Sequence, residues 1–285
     1  MLLIVGTVPE VDFPLTEGEV RLRGANLVVA GREIPVNRGT AALAAAAAAT
    51  LGHLGQPAPF ACLAGDIGKG EGSRLIYEHL VQTLPDRTFG VICFHYLQPD
   101  VDWHNRVLFA VQEMNPRPLL VADAGFMYVA KMSGQAAAYD LFTPDAGELA
   151  FLADETAPHP FYTRGFILHE DSKVPDLITR AYAHQNAARY LLVKGAADIL
   201  ADASGILATV SEPSIEALEP IGGTGDTLTG MAAALIAAGQ DMETAALLAA
   251  RANRLAGLMA SPTPATQVGE IIALLPAALA ELQSQ

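Results

Sequence analysis

Pro220-Ile-Gly-Gly-Thr-Gly-Asp-Thr-Leu-Thr-Gly-Met-Ala-Ala-Ala-Leu-Ile-Ala-Ala-Gly239 decides how the rest of the chain is read. The stretch opens on glycines, passes one acid, Asp226, and continues as a small-residue helix predicted over Thr227–Ala238. Glycines let a backbone approach closely, and a helix start offers unpaired N–H groups with a partial positive charge. That combination is an anion site suited to phosphate. A carboxylate beside bound phosphate is electrostatically out of place unless it takes a proton or holds a metal. The plainer alternative is a glycine turn followed by an Asp-capped buried helix.

The same residues resemble the signature of the ribokinase-like superfamily, a G-[AST]-G-D element that builds an anion hole. The resemblance implies that Asp226 takes a proton from a substrate hydroxyl, with the backbone N–H groups of Gly223, Thr224 and Gly225 around the transferring phosphate. The longer form, Gly222 to Gly230, is most similar to the branch that includes NAD(P)H-hydrate dehydratases.

Working outward, the second informative stretch is Thr143-Pro-Asp-Ala-Gly-Glu148, where a strand ends and a helix begins near Ala146. It resembles both the T-P-H-P-G-E of the dehydratases and the N-x-x-E of ribokinases, whose Glu helps order the magnesium water shell. Glu148 fits both patterns and is the metal candidate. Asp145 stands where one family has His and the other Asn, and an ionised Asp cannot donate a hydrogen bond. It is a substrate-contact candidate. Simple capping carboxylates at a helix start are the other reading for both acids.

Asp123-Ala-Gly125 follows the strand Leu119–Ala122. In parallel α/β sheets the ligand crevice lies at the carboxyl ends of strands, so Asp123 is a further substrate-site candidate. Lys194-Gly-Ala196, after the strand at Tyr190, resembles the K-G-A turn on the nucleotide side of the family's fold. That resemblance assigns Lys194, Gly195, Ala196, Asp198 and Gly225 to the nucleotide. Asn37 and Gly39 enter the alanine-rich helix Gly39–Gly52, which resembles the first core helix of the superfamily. They are substrate-site candidates as well, with capping the equal alternative for Asn37. Gly65–Gly72 resembles a ribokinase-type glycine turn with Gly70 where an Asp is usual. It lacks the Gly-Lys-Ser/Thr end of a P-loop, and a structural turn is expected.

The remaining signals set the architecture. Apolar strand-like runs alternate with helical ones, which predicts one doubly wound α/β domain over residues 1–285 with a largely parallel sheet and helices on both faces. Strands at Glu19–Leu22 and Asn26–Ala30 suggest either a plain hairpin or a small β lid within residues 18–36. Helices are expected at Ser73–Val81, Asp102–Gln112, Leu177–Arg189, Glu243–Met259 and Val268–Leu282, with a loop carrying His159 and His169 over Ala153–Asp176.

A net charge of −14 without any basic run argues against nucleic acid and anionic membrane as partners. Any phosphate must therefore be held locally by glycine loops, a metal ion and a few cations. Cys62 and Cys93 sit in apolar runs with no metal-type spacing, as reduced thiols of a cytoplasmic protein would. The first six residues are too short for a signal peptide and lack a basic flank.

Together these readings predict phosphoryl transfer from ATP or ADP, with Mg2+, to a hydroxyl of a small metabolite. Hydrated NAD(P)H is the leading acceptor. A carbohydrate or vitamin kinase and a non-catalytic nucleotide-binding relative are the alternatives. The small-residue helices would suit a homo-oligomer or tight packing within one chain.

Overall fold

The computed structural model describes residues 1–155 and 174–284. The expected loop with His159 and His169 lies outside them. Eleven strands form one sheet: β1 (Leu2–Val8), β2 (Thr16–Arg23), β3 (Asn26–Val29), β4 (Arg32–Pro35), β5 (Phe60–Gly65), β6 (Val91–His95), β7 (Leu119–Ala122), β8 (Leu141–Phe142), β9 (Tyr190–Val193), β10 (Asp198–Asp202) and β11 (Gly205–Val210). Their order is β11-β10-β9-β8-β7-β6-β1-β5-β2-β3-β4. The centre, from β9 across to β5, is parallel, and antiparallel strands extend both edges.

The central strands are apolar along their whole length because helices cover both faces. Side chains alternate between two cores. Leu2, Ile4, Cys93, Val121, Leu141 and Leu192 face α1 (Thr40–His53), α7 (Thr224–Ala237), α8 (Met242–Met259), α9 (Val268–Ile272) and α10 (Leu275–Gln283). Leu3, Val5, Ile92, Phe94, Leu120 and Leu191 face α2 (Glu71–Thr83), α3 (Val101–Glu113), α4 (Gly125–Met132), α5 (Ala146–Ala153) and α6 (Val174–Ala183). This is the doubly wound, largely parallel fold with helices on both faces that the alternation of strands and helices predicts.

Alanine lets α1 and α7 pack closely. A Cβ on Gly230 would lie 2.1 Å from the Leu43 carbonyl oxygen, so only glycine fits at that crossing. The contact fixes the start of α7 against the start of α1, and both starts belong to the site below.

Several local expectations need correction. The two strands expected within residues 18–36 are present and pair as the hairpin β2–β3, but a third, β4, joins them, and the three bury Val20, Leu27, Val29 and Ile34 in the same core as α1. The last of them is short and ends in Pro35, which hides it from a period-two reading. The single terminal helix is two, α9 and α10, because Pro276 in the first turn of α10 has no N–H to continue the ladder. The predicted helix at Leu177–Arg189 starts and ends earlier, as α6, and the chain turns through Gln185 at φ 57° before β9. The helix α4, apolar but for Lys131 in its last turn, and the edge strand β11 are elements that no expectation covered.

Candidate functional site

The carboxyl ends of β6, β7, β8 and β9 and the starts of α1, α5 and α7 converge. Gly223 precedes α7 in the left-handed region at φ 102°, where a side chain would be strained and where a Cβ would press on Arg38 and Val268. No side chain caps α7. The N–H groups of its first turn, through Thr224, Gly225 and Asp226, are therefore the unpaired donors of a helix start. Arg38 is exposed and lies against Gly222 and Gly223.

Asp226 lies in this first turn. Its Oδ2 accepts the Gly39 N–H at 2.6 Å and its Oδ1 is 3.1 Å from His95 Nε2. Burial alone would push its pKa up. The hydrogen bond and charge of His95, then Lys194 and the Gly39 N–H, outweigh burial and hold it at about 2. Asp226 is thus ionised at neutral pH, and each oxygen keeps a second lone pair.

His95 is wholly buried at the end of β6, with Nδ1 2.9 Å from Thr40 Oγ1. Sequence reasoning missed both residues. A lone histidine at the end of an apolar strand carries no spacing signal, and its partners come from 55 and 131 residues away. The next residue, Tyr96, is half exposed with φ 44°, and its ring meets that of His95 edge to face.

Asp123 and Lys194 form a buried ion pair, 2.7 and 2.8 Å from the ammonium to the two carboxylate oxygens. Asp123 also accepts from the Ala124 N–H and from Thr229 Oγ1 of α7. The Lys194 stem packs against Gly225, where a Cβ would sit 3.4 Å from Cδ. Asp123 and Lys194 therefore bind each other, beneath the glycine turn.

Asp145 and Glu148 form a reciprocal capping box at the start of α5: each side chain accepts the other's N–H, at 2.7 and 2.8 Å. Burial, with Asp123 and Asp145 adding to it and Lys194 opposing, pushes the Glu148 pKa up to about 8. The Lys194 ammonium thus binds Asp123 and acts on Glu148 as well. A carboxylate oxygen is the kind of donor a hard divalent cation takes, so Glu148 is the residue here that could hold one. The ligand atoms of His95, Asp123 and Asp226 also lie within 4.8 Å of one another, yet each is already engaged in the bonds above.

The other expected residues are more peripheral. Asn37, Gly195 and Ala196 are exposed. Asp198 accepts from Arg254 Nε at 2.7 Å and from the Gly195 N–H, and Arg254 also donates to the Ser211 and Gly195 carbonyls. Arg254 was not singled out from sequence. A recess of about 370 Å³ opens nearby, lined by Val210, Ser211, Pro213, Arg251, Leu255 and Leu282.

In the Gly65–Gly72 turn, Asp66 Oδ1 accepts the N–H groups of Gly68, Lys69 and Gly70, and Oδ2 accepts both N–H and O–H of Ser73. These bonds lower its pKa against the opposing effect of burial. The turn is filled by the chain's own carboxylate.

Known proteins resemble the chain in sequence and in fold. A carbohydrate-kinase family model described as NAD(P)H-hydrate dehydratase matches residues 98–275. An uncharacterized protein of Methanocaldococcus jannaschii is 42% identical over 216 residues, covering 75% of this chain and 88% of the relative. Among solved structures, a ribokinase-like superfamily protein from Enterococcus faecalis superposes with a TM-score of 0.58 at 14% identity, covering 98% of this chain and 86% of the other. Phosphofructokinase-2 from Escherichia coli in complex with fructose-6-phosphate gives 0.56 at 13% identity, covering 98% and 99%. Pyridoxal kinase from Staphylococcus aureus in complex with AMP-PCP and pyridoxal gives 0.56 at 13%, covering 88% and 85%. At these identities the structural likeness is one of fold, and the fold is ribokinase-like.

Proposed function

Because the chain belongs to the carbohydrate-kinase family described as NAD(P)H-hydrate dehydratase, we propose that it transfers a phosphoryl group from ATP or ADP to a hydroxyl of a small metabolite, hydrated NAD(P)H in the first instance. One observation carries the reading: an ionised carboxylate, Asp226, stands inside an uncapped helix start that is built for an anion.

Phosphoryl transfer asks little covalent chemistry of the protein; it asks for position and charge. The N–H groups of Gly223, Thr224 and Gly225 would meet the transferring phosphate, and exposed Arg38 would meet the charge at the mouth of the turn. Asp226 would accept the hydroxyl proton on a lone pair left open by Gly39 and His95. Glu148 would be the residue to hold Mg2+, which when bound would supply positive charge against that of the phosphates. The turn at Lys194–Asp198, braced by Arg254, would border the nucleotide.

The dehydratase outcome adds an elimination: phosphate leaves the ring carbon that bore the hydroxyl, a proton leaves the neighbouring carbon, and the ring double bond of NAD(P)H is restored. The kinase outcome stops at the phosphoalcohol. Asp145 weakens the dehydratase outcome, since it replaces the His of that family and its carboxylate accepts within the capping box, but it matches the Asn of the kinases no better. The deciding experiment is turnover of hydrated NADH with ATP or ADP and Mg2+, followed by absorbance of the restored nicotinamide. A nucleotide-dependent rise lost in Asp226→Asn supports the dehydratase. No rise, with a panel alcohol phosphorylated, assigns a carbohydrate or vitamin kinase. Nucleotide binding without turnover of any candidate assigns a non-catalytic relative.

A further inference from the structure

We propose that His95, held from behind by Thr40, is a positioning residue that selects which lone pairs of Asp226 face the acceptor hydroxyl. The inference rests on the reading of Asp226 as proton acceptor, and the hydrogen-bond arrangement beneath it can be tested without any substrate.

The proton positions follow from chemistry. An ionised Asp226 can only accept, so His95 Nε2 must carry the hydrogen in the 3.1 Å contact. In a neutral ring Nδ1 is then an acceptor, and the Thr40 hydroxyl at 2.9 Å is its donor. A hydroxyl can reverse its role, so the same pair would also serve an imidazolium.

Three elements are shaped around this contact. Thr40 opens α1, His95 ends β6, and Gly6 of β1 faces both. A Cβ at Gly6 would lie 2.4 Å from the His95 carbonyl and 2.6 Å from Thr40 Oγ1, so β1 can carry no side chain there. His95 and Thr40 are 0% and 2% exposed. A buried imidazole is costly unless both nitrogens are satisfied, and here both are.

The consequence lies at Asp226. Gly39 fixes one oxygen and His95 the other, so the carboxylate plane cannot rotate freely about its bond to the helix. The groups facing Asp226 from the packed elements are His95 from β6, the Gly39 N–H before α1, Lys194 after β9, Asp123 after β7 and Tyr96. Of these, His95 and Gly39 donate to it directly. The arrangement inverts the familiar nucleophile–base–orienter order: the carboxylate reacts, the imidazole orients it, and the hydroxyl holds the imidazole from behind.

The test has two arms. In 15N NMR of histidine-labelled protein, His95 is expected to carry hydrogen at Nε2 at neutral pH, and Thr40→Val is expected to shift the Nδ1 resonance. A ring protonated at Nδ1 alone would overturn the proposal whatever the protein's reaction is.

The second arm is kinetic, on the acceptor established by the turnover assay. A hydrogen bond to a charged group changes an equilibrium by about 10- to 100-fold. His95→Leu should therefore lower kcat by about that factor while leaving both KM values within about threefold. His95→Gln, which places an amide N–H near the ε position, should recover most of the loss. In an Asp226→Asn background His95→Leu should have no further effect. Equal losses in both backgrounds, or no rescue by His95→Gln with its melting temperature and nucleotide binding intact, would reduce His95 to a packing residue.

Discussion

Lys194 Nζ sits between the two carboxylate oxygens of Asp123, at 2.7 and 2.8 Å, and joins the ends of β9 and β7 across β8. The pair is buried, with Asp123 1% exposed. Removing one member of such a pair leaves the other as an uncompensated buried charge, at a cost of about 3–5 kcal/mol. Lys194→Met is expected to lose that much stability in chemical denaturation. A loss near zero would mean that Asp123 neutralises or hydrates on its own.

Asp226→Asn should lower phosphoryl transfer by about 10²- to 10⁴-fold, the usual contribution of a positioned general base. Nucleotide affinity, measured by calorimetry, should stay the same or rise, because a negative charge next to the phosphates is gone. Full activity in this variant would remove Asp226 from the mechanism.

Arg38→Ala tests the cation at the mouth of the glycine turn. Loss of a charge-assisted contact to phosphate should weaken nucleotide binding by about 10- to 100-fold, with the melting temperature unchanged because Arg38 is exposed. Unchanged nucleotide affinity would place the phosphates elsewhere.

Gly230→Ala addresses the crossing of α1 and α7. Its methyl would overlap the Leu43 carbonyl, and forced overpacking costs about 1–3 kcal/mol. Activity should fall as well, since Gly39 and Asp226 ride on the two helices that must part. A variant of wild-type stability and rate would show that the crossing yields easily.

His104 predicts an acid limb of stability unrelated to the site. It is fully buried between Tyr139 and Ser133, and burial lowers its pKa to about 4. The folded value lies below the unfolded one, about 6.5, so its contribution is complete above the unfolded value. That contribution is lost as pH falls towards 4, by about 3 kcal/mol. His104→Gln should flatten the fall relative to wild type over that window.

The readable and unreadable parts of the site differ in how far apart their residues lie. The glycine turn and Asp226 are neighbours in the chain, so local chemistry exposes them. So are Asp145 and Glu148, though the capping box they close is geometry that spacing does not contain. The strand and helix alternation gives the sheet its class, because fully buried strands are apolar throughout. His95 could not be found this way: its meaning lies in Thr40 and Asp226, which only the folded sheet brings to it. Arg254 is likewise one more charge on a helix until Asp198 and two carbonyls surround it. The end of the chain was misread for a local reason, one proline whose effect on the ladder outweighs an otherwise continuous helical pattern.

The turn that leads into α2 carries its own counter-charge. Like α7, α2 begins after a left-handed glycine, yet here Asp66 accepts the N–H groups of Gly68, Lys69, Gly70 and Ser73. Where α7 leaves its first turn open, this turn is neutralised from within, and Asp66→Ala would strand four backbone donors that the chain now satisfies itself.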